Sequence, residues 1–404
     1  MSEQETTSMD HQRTQTLPAE VAVPMETPKP RIENINFVIR KMLKQNYDLR
    51  ITSLKPLDGF YDLNYHVVAE AGPSNPHINS SESDDYFLKI CNAQDSKRPE
   101  FLYAVALLLE HIRDRGIVCQ ETIRGIKGQI MSHITSSRSS GGEEYDMTYL
   151  ACLRTYLPGR PLEGTRLTPE MLYNLGQFVA RTTHALQDFH HPFFDTYDHL
   201  WNLSNCPKIS EILYAITDGS KRTICQEVLR SFVTQVLPLT SQLRKGQIHG
   251  DLNGNNILIT SSANSNTRSS PKICGLIDLH DTCRSYLVYD LAICAAQMLL
   301  TRAEETRTVP VTEIPGHILA GYTSILKLLP AERKVLRTCV AARMVMVLAG
   351  SAHSYAMDPG NEYLSRITQA GWEALGVVWS TDPHVLETGW DQIETMYSAA
   401  GRKG

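Results

Sequence analysis

The sequence predicts an α+β chain in two lobes: a five-stranded antiparallel sheet carrying one helix, then a mainly helical half. Period-two alternation of apolar residues is confined to the segment before residue 158, and apolar steps of three and four dominate after Thr168. A single short β island, 247–281, interrupts the helical half. With 404 residues, 42% of them hydrophobic and 21% charged, the chain can fill one large two-lobed unit with a core in each half.

The first thirty residues are polar, carry Glu early and contain no apolar run, so residues 1–30 read as a disordered tail without a targeting signal. The first lobe is expected over 31–158. It opens with a helix from about Ile32 to Gln45 and a strand, turn and strand in NYDLRITSLKPLDGFYDLNYHVVAEA, broken at Asp58 and Gly59. The polar stretch GPSNPHINSSESDD then reads as a hairpin loop before the strand YFLKIC, which holds Lys89. From Pro99 an apolar helix runs to a glycine stop at Gly116. Two further strands, GQIMSHI and MTYLACLRTYL, are separated by a polar linker, TSSRSSGGEEYD, and end in the turn LPGRPL.

The second lobe is expected over 159–404. Thr168, Pro169 and Glu170 are a helix start signal, followed by Leu172, Leu175, Val179, Thr183 and Leu186 on one face. Helices resume near Val288, and Asp290 at that start reads as a cap or loop anchor.

A net charge of -5 gives no basic surface for a phosphate backbone, so no nucleic-acid partner is expected. No uninterrupted run of eighteen apolar residues occurs, so no membrane partner is expected either, and the location should be cytoplasmic. Nine scattered cysteines without a CxxC pair read as reduced core thiols.

The chemistry is concentrated in HGDLNGNNIL, 249–258, and GLIDLHD, 275–281, one hairpin later. Asp251, Asn256 and Asp278 bracket two strands, so their oxygens can converge. Phosphoryl transfer needs a base for the acceptor hydroxyl, oxygen ligands for Mg²⁺ and a cation on the nucleotide phosphates. An Asp with an Asn five residues on, then a second Asp, meets the first two needs: Asp251 as catalytic base, Asn256 and Asp278 as metal ligands. Lys89, on a strand between apolar neighbours, meets the third and is the residue expected to bind the nucleotide. Gly, Asp and Asn also make ordinary turns, so the reading rests on the joint pattern, that of a protein-kinase-like fold. LDGFYDLN has one glycine, Gly59, and reads as a β-turn. His249 reads as a loop-ordering residue. Asp281 is either a solvated carboxylate or a group that meets a substrate amine or aids the metal.

These segments, with LKPLDGFYDLNYHV, RTYLPGRPL, LYNLGQFVARTTHALQDFHHP and WNL at 201–203, resemble the aminoglycoside phosphotransferase family, and within it the branch acting on 5-hydroxy-L-lysine, from about Asn46 to beyond Trp372. The resemblance implies transfer of the γ-phosphate of GTP, or ATP, with Mg²⁺, to an amine-bearing alcohol, 5-hydroxy-L-lysine in particular. Another amino alcohol such as choline, ethanolamine or an aminoglycoside, or a nucleotide-binding pseudokinase, is the alternative. Three positions depart from the family. Leu279-His280 replaces Phe-Gly after Asp278. The helix glutamate that pairs with the strand lysine falls at Tyr103, leaving Glu100 as its substitute. Leu63 stands where relatives carry a polar residue.

Overall fold

The computed structural model describes residues 29–59, 61–70, 74–78, 84–140, 143–260, 271–301, 308–357 and 362–401. The expected tail lies outside them except for its last two residues, the polar loop expected over 72–85 lies partly outside them, and residues 261–270 lie wholly outside.

Helix α1 (Ile35–Tyr47) precedes strands β1 (Ile51–Leu57), β2 (Leu63–Ala69) and β3 (Asp85–Ile90), then α2 (Pro99–Asp114), β4 (Ser132–Ser140) and β5 (Glu143–Thr155). The five strands form one antiparallel sheet in the order β1-β2-β3-β5-β4. The segment read as a polar linker, 135–146, is largely paired strand: Thr135 faces Thr148 and Ser140 faces Glu143. Edge hairpins tolerate polar residues because neither face there must be covered by core.

Alternation along β3 decides what the sheet does. Tyr86, Leu88 and Ile90 point to one face and pack with Tyr65, Val67, Tyr149 and Leu153 against Ile39, Leu43 and Tyr47 of α1. Phe87, Lys89 and Cys91 therefore point to the other face, where Cys91, Leu150 and Cys152 join the core beneath α2. A helix covers each face of the sheet, and Lys89 is 3% exposed on the side of the helical lobe.

After a two-residue edge strand β6 (Arg160–Pro161) come α3 (Pro169–Leu186) and the short α4 (Phe193–Thr196), a 3-10 stretch over Leu203–Ala215, and α5 (Gly219–Ser231), which runs on through a π turn. Thr168 caps α3 by accepting the Met171 N–H at 3.2 Å, as its start signal requires, a contact that contributes about 1 kcal/mol. The β island resolves into β7 (Lys245–Ile248), β8 (Ile257–Ile259), β9 (Ile273–Leu276) and β10 (Cys283–Tyr286), with β7 paired to β10 and β8 between β6 and β9. Helices α6 (Leu287–Leu300), α7 (Ile314–Thr323), α8 (Pro330–Met357), α9 (Glu362–Ser380) and α10 (Pro383–Gly401) complete the fold.

Helix α8 is long and apolar enough to cross a membrane, yet 83% of its apolar window is buried among α6, α9 and the 3-10 stretch, which is the place of a core helix. It is locked to β7 by Glu332, fully buried, whose Oε1 accepts from Arg244 Nε at 2.8 Å and whose Oε2 accepts from Leu329 N at 2.8 Å. Eight of the nine cysteines are buried, Cys274 is half-buried, and all are free thiols.

Candidate active site

The loop between β7 and β8 carries Asp251 and Asn256, and the loop between β9 and β10 carries Asp278 and Asp281. Asp290 in the first turn of α6 anchors the first loop: its carboxylate accepts from His249 N at 2.8 Å and Gly250 N at 2.9 Å. The loop-anchor reading of Asp290 is thus the one the hydrogen bonds describe. Gly250 has φ +83°, and a Cβ there would come within 2.1 Å of the Asp281 carbonyl oxygen, so only glycine lets the two loops touch. His249 orders the same turn, with Nδ1 accepting from Asp251 N at 3.2 Å and Nε2 3.3 Å from the Ile277 carbonyl.

Asp251 is held by four donors. Arg343 Nη2 lies 2.9 Å and Gln297 Nε2 3.4 Å from Oδ1, while Asn253 Nδ2 lies 2.7 Å and Asn256 Nδ2 3.0 Å from Oδ2. Burial pushes the Asp251 carboxyl above the usual range, and the Arg343 guanidinium opposes that push. Because Asn256 spends its amide nitrogen on Asp251, its carbonyl oxygen is left to serve as a ligand.

Across the cleft, Lys89 Nζ lies 3.2 Å from Asp278 Oδ1 and 3.0 Å from Asp62 Oδ2. Burial works against the Lys89 ammonium, but the two carboxylates outweigh it and raise its pKa. Burial likewise opposes ionisation of Asp278, and Lys89 and His280 outweigh it, holding this carboxyl well below its usual range. Lys89, Asp278, Asp251 and Asn256 are therefore brought to one cleft. Among the described residues no three His, Cys, Asp or Glu side chains form a metal cage. An oxygen-only pair, Asp278 and Asn256, nevertheless suits Mg²⁺, which takes one or two protein oxygens and completes its octahedron with phosphates and water.

The departures from the family pattern resolve physically. The left-handed residue of the second loop is Asp278, φ +58°, while His280 has no such backbone, so glycine is not required at 280. His280 uses the space: its Nδ1 is 3.0 Å from Asp278 Oδ1 and 3.2 Å from Lys89 Nζ. Glu100 is exposed in the first turn of α2 and does not replace the helix glutamate. The second carboxylate on Lys89 is Asp62, from the turn before β2, which also accepts from Asn92 N at 2.9 Å and Asn92 Nδ2 at 3.0 Å. Leu63, next to it, opens β2 and pairs with Ile90.

Asp281 lies near Asp251, and Tyr61, Trp201 and His199 gather around it. Tyr61 is hydrogen-bonded to Trp201, joining the first turn of the sheet lobe to the helical lobe. His199 Nε2 lies 3.1 Å from the Asp281 carbonyl oxygen. Burial, with the negative charge of Asp251 second, pushes the Asp281 carboxyl up to about 8. A groove of about 470 Å³ lined by Arg115, Arg181, His184 and Cys274 holds none of these residues and stands apart from the site.

A family model described as "Phosphotransferase enzyme family" matches residues 54–314, which span both loops and Lys89. The chain belongs to this phosphotransferase family. A hydroxylysine kinase of Bos taurus is 30% identical over 362 residues, covering 89% of this chain and 93% of the relative. A homoserine kinase of Gluconobacter oxydans is 24% identical, covering 79% and 92% of the two chains. Among solved structures, an aminopropanol kinase associated with a microcompartment superposes with a TM-score of 0.60 at 16% identity, covering 85% of this chain and 96% of that one. The kinase-like fold expected from the sequence is thereby shared. The protein is a phosphotransferase that acts on an alcohol, a small-molecule kinase.

Two residues of this phosphotransferase site, Asp62 and Arg343, are not among those the sequence singles out. Asp62 lies within the segment expected to be a β-turn, and Arg343 interrupts an apolar stretch. A lone arginine amid VAARMVMVLAG was the available signal, because a buried charge needs a partner. Asp62→Ala should raise the nucleotide KM about tenfold or more, since a hydrogen bond to a charged group is worth about 1.5–3 kcal/mol, whereas Glu100→Ala should stay within about twofold. Steady-state kinetics checks the pair; the reverse order would restore Glu100 as the partner.

Proposed function

We propose that the protein transfers the γ-phosphate of GTP to the side-chain hydroxyl of 5-hydroxy-L-lysine. What supports this reading is a buried acid, Asp281, close to Asp251 in a chain similar to a hydroxylysine kinase over 89% of its length.

In this reading Asp251 takes the proton of the acceptor hydroxyl as its oxygen bonds to the γ-phosphorus and the bond to the bridging oxygen of the leaving GDP breaks. Arg343, Gln297, Asn253 and Asn256 hold the Asp251 carboxylate in one orientation, which supplies the positioning on which phosphoryl transfer depends. Lys89, kept cationic by Asp62 and Asp278, neutralises the phosphates. Asp278 and Asn256 would hold Mg²⁺, whose contribution when bound is to neutralise phosphate charge. Asp281 meets the substrate ammonium: a carboxyl that titrates near 8 alone is ionised more readily once a cation sits against it.

The test is transfer of labelled γ-phosphate from GTP and from ATP to 5-hydroxylysine, with ethanolamine, choline and homoserine as competitors. Phosphorylation of 5-hydroxylysine above the others supports the reading. Transfer to a different amino alcohol keeps the kinase chemistry and moves the acceptor. Nucleotide binding without transfer to any of them would replace the enzyme reading with that of a pseudokinase.

A further inference from the structure

Arg154 is the next-to-last residue of β5 and is 2% exposed, yet its Nε and Nη1 have no hydrogen-bond partner. No carboxylate pairs with it among the described residues; Glu121, in the segment that runs beside the end of β5, turns instead to Arg113 at 2.8 Å. A guanidinium cannot shed its charge and presents donors only, so leaving it buried and unpaired is costly. A ligand rich in acceptors would offset that cost.

The sheet register says which part of a ligand reaches it. Lys89 pairs with Cys152 and Phe87 with Arg154, so Arg154 shares the inner face with Lys89, two residues nearer the link to the helical lobe. In the kinase reading above, the phosphates sit at the Lys89–Asp278 end. From there a nucleoside could extend along the sheet in either direction. One direction is filled, because Cys91 and Leu150 lie in the core beneath α2, 0% and 2% exposed. The other leads past Phe87 to Arg154. At that end the Thr155 carbonyl, an acceptor for an exocyclic amine, is already approached by Gln120 Nε2 at 3.4 Å.

We propose that Arg154 reads the purine base of the phosphate donor and selects guanine over adenine. Guanine presents two acceptors, O6 and N7, on one edge, the pair that a guanidinium engages bidentately, whereas adenine presents N7 beside an N6 amine that a guanidinium repels. This inference rests on the nucleotide-dependent kinase reading above and adds the residue that decides the base.

The experiment measures dissociation constants of the full chain for GTP, ITP, 7-deaza-GTP and ATP with Mg²⁺ by calorimetry, for the wild type, Arg154→Leu and Arg154→Lys. ITP shares O6 and N7 with guanine but lacks its 2-amino group, so it should bind like GTP. ATP should bind about 10–100-fold more weakly, as expected for loss of one bidentate contact, and 7-deaza-GTP should fall between. Arg154→Leu should bring GTP and ITP down to the ATP level, and Arg154→Lys should keep part of the preference. Equal affinity of the wild type for GTP and ATP overturns the inference and leaves the kinase reading standing. So does an equal loss for all four nucleotides in Arg154→Leu, the result expected if the guanidinium met the phosphates. No binding of any nucleotide removes both readings. The wild-type comparison decides the matter even if Arg154→Leu does not fold.

Discussion

Asp251→Asn retains the fold and nucleotide binding and loses about 10²–10⁴-fold in turnover, the range that proton transfer by a positioned side chain contributes. The substitution keeps the volume of the side chain and one oxygen. That oxygen can still accept from Arg343 and Gln297 on the Oδ1 side, but the new amide nitrogen then faces the Asn253 and Asn256 amide groups. Two donors face a donor there, which costs some stability in the loop without emptying a cavity. Asn256 is reached by this conflict too, so nucleotide affinity should be measured beside turnover. A stopped-flow or radiolabel assay that found normal turnover in Asp251→Asn would remove Asp251 as the base.

Arg343→Met acts on the same carboxylate from the other side. Arg343 rises from the middle of α8, its side chain 3% exposed, with Nη1 donating to the Trp201 carbonyl at 3.1 Å and Nη2 to Asp251. Breaking a buried pair by removing one partner costs about 3–5 kcal/mol, and here the lower end applies because the Asp251 side chain is one-fifth exposed. The kinetic consequence has a definite sign. Burial raises the Asp251 carboxyl and Arg343 opposes the rise, so removing the guanidinium raises it further. A base must be ionised, so the acid limb of kcat/KM moves to higher pH and the variant loses more activity at pH 6 than at pH 8. Stability follows the same linkage: a carboxyl whose folded pKa exceeds its unfolded value binds its proton more tightly when folded. Stability therefore falls as pH rises from the ordinary carboxylate range through the folded pKa, and more steeply in the variant. Arg343→Lys restores charge but not the fork of donors, and should recover the pH profile better than the melting temperature. An acid limb that does not move in Arg343→Met would mean that the pair is structural only.

The two lobes, the strand bearing Lys89 and the two loops bearing Asp251, Asn256, Asp278 and Asp281 were legible because each rests on local information. Period-two alternation identifies β3, glycine and asparagine identify the turns, and the spacing Asp-x₄-Asn places two side chains within one loop. The polar segment 135–146 misled because strand pairing at a sheet edge is set by a partner strand and not by hydrophobicity. Glu100 misled because its spacing from the family position is right along the helix but its side chain faces solvent, while α2 buries Phe101, Val105 and Leu108.

Sequence by itself determined which residues can carry charge, accept a proton or ligate a cation, and in which order the elements come, because residue chemistry and short-range periodicity are properties of neighbours along the chain. Only the tertiary structure decided who faces whom. It joined Lys89 to Asp62 and Asp278 and Asp251 to Arg343, 92 residues away, and it left Arg154 buried without a carboxylate. Lys89–Asp278 crosses the lobes, and Asp251–Arg343 spans a long stretch of the second one. Their strength comes from burial and donor geometry, and neither exists until the chain has closed around the cleft.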